Sequence, residues 1–273
     1  MDLNSKLAVL NKWSLINKDG MAIKEGPTGD GDSLLWSGLL SLVGVRSQSY
    51  ACNHCIDNQG RLWRSTKRVG KEEYNSFSRD MEMGFLAHVV GYPSHQTVRN
   101  FKNHCLYIKQ NKQLAPLGDN RVKLTPSIAG LINIVSKRVE PTTIGSFWRF
   151  FHGLIMLMSA ITSPKGYPMH LVGVHLLIRQ ELKYGRMFNY LTSKILEFRE
   201  PKNIFFMVLA DCHLDDVLET FYSQVPWEEP KEKSQWSQER AHSEHAYVQS
   251  MCWDFMFLIL LIKKRYHIVN GIK

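Results

Sequence analysis

The chain lacks most of the segments that would place it in a functional class at once. It has no glycine-rich phosphate loop, so binding a nucleotide by that route has no support. It has no G-x-S-x-G turn, which argues against a serine hydrolase of the nucleophile-elbow type. No serine-, glycine- or proline-rich tract and no block of like charge divides it, so residues 1–273 read as a single domain. Long hydrophobic runs are missing too. "FFHGLIMLMSAI" and "CWDFMFLILLI" both fall short of the roughly 18 to 20 apolar residues that span a bilayer, and they read as core helices. The opening "MDLNSKLAVLNKW" lacks the basic, apolar and small-residue order of a signal peptide, so cytoplasmic synthesis is expected.

Cysteine is scarce. Five are present, an odd number that speaks against a disulfide framework. Cys52 and Cys55 in "CNHC" have the spacing of half a zinc site, but His104 and Cys105 make the only other local cluster. These cysteines therefore read as buried helix residues, and neither a metal nor a cofactor is expected.

Positive charge is in excess. The formal net charge is +9, which favours an acidic partner: a nucleic acid, an anionic membrane surface or an acidic polysaccharide. The basic residues are scattered, with small concentrations at 61–71 and 263–265, and none sits in a recognisable nucleic-acid motif. Nucleic acid is the less favoured partner on that pattern. Oligomeric state leaves no mark on the sequence.

Apolar residues recur at helical spacing along most of the chain. The pattern predicts helices near 31–44, 47–57, 79–91, 94–112, 125–139, 145–162, 168–184, 186–199, 203–210, 213–224 and 246–266. "NQGRLWRST" reads as an extended loop or hairpin. The helices near 31–44, 79–91, 145–162, 168–184 and 246–266 are apolar around much of their circumference, whereas those near 94–112 and 186–199 carry charge on one side. Inner and outer helices in alternation, joined by short links, predict an all-α fold of the α/α toroid type. An irregular helical bundle is the alternative.

Within that scheme "GPTGDGDSLLWSGLLSLVG" stands out, because Asp30 and Asp32 lie a residue apart at the mouth of an apolar helix. Capping is the plain reading, since aspartate satisfies free N–H groups and suits the positive helix end. In a toroid, however, the starts of the inner helices meet at one face. Arg79 and Asp80 in "NSFSRDMEMGFLAHVV" open the next apolar helix, and "GYPMHLVGVHLLI" brings His170 and then His175. Trp36, Trp63 and Trp236 lie close in sequence to these acidic stretches or in polar surroundings, as platforms for a sugar ring would. Core packing is the competing reading of each tryptophan.

"TGDGDSLLWSGLL" resembles the T-D-G-D-x-D-I-A-x-x-L segment of glycoside hydrolase family eight, in which that segment opens an inner helix of an (α/α)6 toroid. Asp30, Gly31 and Asp32 match its first D-G-D, while Leu34 stands where the family has a third acidic residue. The resemblance covers about a dozen residues. It implies a toroid scaffold and inverting cleavage of a polysaccharide.

Glycosidases commonly use one protonated and one ionised carboxyl group. The expected catalytic residues are Asp32, Asp80 and Asp254, the last a charge inside the apolar "MCWDFMFL" that needs a partner such as Arg79 or Arg240. Asp30, Trp36, Trp63, Arg79, His175, Trp236, Glu239 and Arg240 are the expected substrate contacts. A lyase acting on an acidic polymer, with Tyr167 or His175 as base, is a related reading. The competing class is a non-catalytic structural or interaction protein with a basic surface, for which the aspartates are caps and the ion pairs architectural.

Overall fold

Where the two central helices touch, there is no room for any side chain. The computed structural model describes residues 2–13, 20–22, 30–73, 76–115, 122–139, 146–224 and 253–268. Within them α2 (Ser33–Leu42) and α4 (Arg79–Gly91) cross backbone to backbone. A Cβ on Gly38 would stand 1.8 Å from the Gly84 carbonyl oxygen, and one on Gly84 would stand 2.4 Å from the Leu34 carbonyl oxygen. All ten residues of α2 are buried, as befits a helix of leucine, tryptophan, glycine and serine with no charged residue. Burying each of its leucines is worth about 1.5 to 3 kcal/mol. Gly44, at φ 102°, ends the helix in a Schellman motif: its N–H bonds to the Ser41 carbonyl at 3.1 Å and that of Val45 to Leu40 at 3.0 Å.

Twelve α-helices and no β-strand are present among the described residues, and isolated bridges join Ile56 to Leu62 and Gln113 to Lys123. One bridge, between Ile56 and Leu62, lies in the stretch expected to be extended. The others are α1 (Leu3–Trp13), α3 (Arg46–Asn53), α5 (His95–Asn111), α6 (Pro126–Val139), α7 (Ser146–Thr162), α8 (Tyr167–Glu181), α9 (Arg186–Arg199), α10 (Ile204–Leu209), α11 (Leu214–Gln224) and α12 (Trp253–Arg265). The fold is all-α. Of these, α1 has no counterpart in the sequence expectation, and α3 stops four residues short because Cys55 and Ile56 turn into the loop.

The central helices share a polarity. Lys264 donates from Nζ to the Leu42 carbonyl at 3.0 Å and to Glu181 at 2.7 Å, and Arg265 donates to Gln180 at 2.8 Å. Val90, Arg138 and Glu181 border one cleft of about 590 Å³. The C-terminal ends of α2, α4, α6, α8 and α12 therefore meet on one side. The outer helices run the other way: Thr97 and His104 of α5 pair with His88 and Glu82 of α4, in that reversed order.

Buried polar groups stitch the layers together. His88 links α4 to Ser41 of α2 at 2.9 Å and to Thr97 of α5 at 3.3 Å, and Ser41 continues to Ser49 of α3 at 2.8 Å. Arg179 of α8 donates to Asn189 of α9 at 2.9 Å and to His152 Nδ1 of α7 at 2.9 Å. Burial holds His88 down to about 3. The same cause, joined by nearby positive charge, holds His152 to about 2 and His175 to about 4.

Gly38→Ala should destabilise the protein by about 3 kcal/mol or more, because backbone cannot yield as a side chain does. Denaturant unfolding of the variant against wild type measures this. The histidines make a second expectation. Their folded pKa values lie below the unfolded value, so below about pH 6.5 the unfolded chain takes up protons that the native state refuses. Stability should fall from about pH 6.5 to pH 4, by up to roughly 4 kcal/mol per pH unit for the three together. Unfolding midpoints across that range should be steep for wild type, and about a third less steep for His88→Gln.

Candidate functional site

An acidic cluster forms where the N-terminal ends of α2, α4 and α8 converge. Neither aspartate of the opening stretch caps α2 with its side chain, which corrects the plain reading. Asp32 occupies the N-cap position at φ 53°, ψ 15°, and makes no side-chain cap bond. The Arg64 carbonyl accepts from the Leu34 N–H at 3.1 Å instead, so the neighbouring loop caps the helix. The left-handed conformation at Asp32 is uncommon for a residue with a side chain, though aspartate tolerates it better than most.

Asp30 is tied down. Its Oδ2 accepts from Arg68 Nε at 2.7 Å and from Ser65 Oγ at 2.9 Å, and Oδ1 accepts from Arg68 Nη2 at 3.3 Å. Burial pushes its carboxyl up, but those hydrogen bonds and the charges of Arg68 and Arg64 outweigh it and hold the group below the usual carboxylate range. Asp80 is the opposite case. Burial, followed by the charge of Asp32, raises its carboxyl above the usual range, against hydrogen bonds from Ser78 and Tyr167 and the charge of Arg64. Two neighbouring acids are thus driven toward opposite protonation states, Asp30 ionised against Arg68 and Asp80 toward its neutral form.

The loop between α3 and α4 delivers the cations. Asp57 folds it locally by accepting from the N–H of Gln59 at 2.9 Å and of Arg61 at 3.0 Å. His104 of α5 clamps it at depth, with Nδ1 donating to the Gly60 carbonyl at 2.7 Å and Nε2 bonded to Glu82 at 2.7 Å. Burial opposes a charge on His104, yet the Glu82 carboxylate and the Gly60 carbonyl raise its pKa overall. Gly60 permits the approach, since a Cβ there would meet the Asn103 carbonyl oxygen at 2.3 Å. Held this way, the loop brings Arg64, Ser65 and Arg68 to the acids, and Arg64 Nη2 donates to Ser78 at 3.2 Å.

The structure brings Asp30, Asp32 and Asp80 together and separates several expected contacts from them. Trp36 is only 2% exposed and Trp63 fully buried, so neither offers an open ring face. Trp63 is fastened by its indole N–H to Asp57 at 3.3 Å, under the Arg61 guanidinium. His175 lies farther along α8, its ring 5.5 Å from that of His152 and in the field of Arg179, away from the acids. His170 is buried and braces the start of α8, bonding to the Gly166 carbonyl at 3.2 Å and to Asn203 at 3.1 Å. Arg79 is exposed, and Arg64 supplies the positive charge expected of it. Asp254 is fully buried in the first turn of α12. Trp236, Glu239 and Arg240 lie outside the described residues.

Sequence reasoning missed Arg64, Arg68 and Ser65 as site residues. Their signal was the basic concentration at 61–71, some thirty residues from the D-G-D stretch, and only the clamp of His104 on the loop aims them at the acids. Cys52 and Cys55 are buried free thiols, and burial pushes that of Cys52 up. Among the described residues no group of three or more His, Cys, Asp or Glu could hold a metal ion, and no helix is long and apolar enough to cross a membrane. No protein-family model, curated protein or solved structure matches the chain.

The two acids should respond differently to neutralisation. Asp30 stabilises the fold through its ionised form, an effect present above the unfolded pKa and lost as pH falls through the lower folded one. Asp30→Asn should therefore cost about 1 to 3 kcal/mol at pH 7. Asp80 has a raised folded pKa, so ionising it works against the fold as pH rises, and Asp80→Asn should leave stability at pH 7 unchanged or higher. Paired chemical denaturation of the two variants checks the contrast.

Proposed function

We propose that the chain is a carbohydrate-active enzyme that cleaves a glycosidic bond by carboxylate acid–base chemistry at the Asp30–Asp32–Asp80 cluster. The observation that carries this reading is the buried Asp80 carboxyl, held toward its neutral form beside Asp32. Asp80 then serves as the acid that protonates the leaving oxygen, and Asp32 as the ionised base or nucleophile on the other side of the sugar. Arg64 lies in the field of Asp80 and offsets negative charge as Asp80 gives up its proton. Asp30, engaged with Arg68, fixes the loop rather than the chemistry.

An α/α toroid is the architecture that goes with this reading. The shared direction of α2, α4, α6, α8 and α12 and the reversed α5 support it, because inner helices of a toroid present their N-terminal ends at one mouth. The resemblance of the Asp30–Asp32 stretch to glycoside hydrolase family eight points the same way. With a net charge of +9, the substrate is a neutral or acidic polysaccharide.

The test is a panel of neutral and acidic polysaccharides assayed for new reducing ends and for unsaturated products. Reducing ends without unsaturation are expected, with kcat lowered about 100- to 10,000-fold in Asp80→Asn and Asp32→Asn while both stay folded. Unsaturated products would move the assignment to a lyase with Tyr167 as the candidate base. Cleavage of none of the polymers would leave the non-catalytic reading.

A further inference from the structure

Exposed apolar surface is concentrated on two outer helices. Among the described residues twelve large hydrophobic side chains are exposed, and eight of them belong to α7 and α9. On α7 they are Phe150, Leu154, Met158 and Ile161, spaced four, four and three residues apart along one face, with exposures of 57%, 40%, 50% and 49%. On α9 they are Met187, Tyr190, Leu191 and Phe198, the last 82% exposed. The two helices lie side by side and run the same way. The Phe150 and Phe188 rings meet edge to face at 5.2 Å near their starts, and Arg199 donates to the Ala160 carbonyl at 2.6 Å near their ends.

We infer that this face is where a second copy of the chain docks, forming a twofold dimer through α7 and α9. Two observations select that occupant. First, at roughly 100 Å² apiece the eight side chains expose on the order of 800 Å², about what one partner contributes to a stable interface of standard size. Scattered exposed hydrophobic residues would need no explanation, but a face of this extent does. Second, between Phe150 and Thr162 the sequence contains no Asp, Glu, Lys or Arg. Charge depletion of that kind marks the centre of a protein–protein interface.

The dimer is independent of the chemistry at the acidic cluster, which lies at the N-terminal ends of the inner helices. Sedimentation equilibrium of the full chain at micromolar concentration is the experiment. A mass of twice the 31.6 kDa chain is expected. Phe198→Glu combined with Met158→Glu should weaken association at least about 100-fold and give the single-chain mass, with the helical circular dichroism retained. Should that pair fail to fold, Met187→Glu alone serves the same purpose at an exposed site. Leu106→Glu, on α5 and equally open to solvent, should leave the dimer intact. A wild-type chain that stays monomeric overturns the inference, whether or not it then pellets with phosphatidylserine vesicles. So does a folded Phe198→Glu/Met158→Glu protein that still sediments as a dimer.

Discussion

The backbone contact between α2 and α4 is the constraint on which the rest depends. Gly38 and Gly84 remove the side chains that would hold the helices apart, and Gly91 does the same at the far end, where a Cβ would meet Leu42 Cα at 2.4 Å. Close approach over the whole length brings the two N-terminal ends to one level, so Asp32 comes within the field of Asp80. It also sets Ser41 opposite His88 at the other end. One steric fact thus governs both an electrostatic site and a buried hydrogen-bond network.

The site is assembled by a division of labour between helices and loop. The helices contribute carboxyl groups and the positive ends of three dipoles, which favour negative charge there. The loop contributes a backbone cap, through the Arg64 carbonyl, and two guanidinium groups. Because the loop does the capping, Asp32 and Ser78 are released from the task their positions would otherwise give them, and Ser78 donates to Asp80 instead. The clamp of Glu82, His104 and Gly60 is the remote support of this arrangement, since it anchors the loop by buried bonds of 2.7 Å.

Buried polar groups elsewhere have a different character. His88, His152 and Arg179 bridge neighbouring helices through neutral imidazoles, with the histidine pKa values driven down by burial. Such groups specify which helices pack together and change little near neutral pH. Asp80 differs because a second acid faces it, so its proton is held by competition rather than by burial alone. That distinction, more than burial itself, is why the proposed chemistry is placed at the cluster.

Much of the helical framework was legible in the chain. Apolar residues at helical spacing marked α2, α4, α8 and α12 as core helices, and Gly44 marked the end of α2, because periodicity and backbone freedom are local properties. The acids at the helix starts could be seen as well. Whether a tryptophan beside them faces solvent could not, and Trp36 and Trp63 prove buried because their surroundings come from residues distant in sequence. His175 is another such case, drawn to His152 and Arg179 by packing between α7 and α8. The sequence by itself determined most of the helices and the burial of α2, α4, α8 and α12, but it missed α1 and marked the segment near 145–162 as an inner helix, whereas α7 exposes Phe150, Leu154, Met158 and Ile161 because no described element packs on that side. Only the tertiary structure decided that Arg64 rather than Arg79 accompanies Asp80, that Arg68 claims Asp30, and that α7 and α9 leave an apolar face uncovered. Those outcomes depend on which surfaces meet, and no local pattern encodes the geometry of contacts made across dozens of residues.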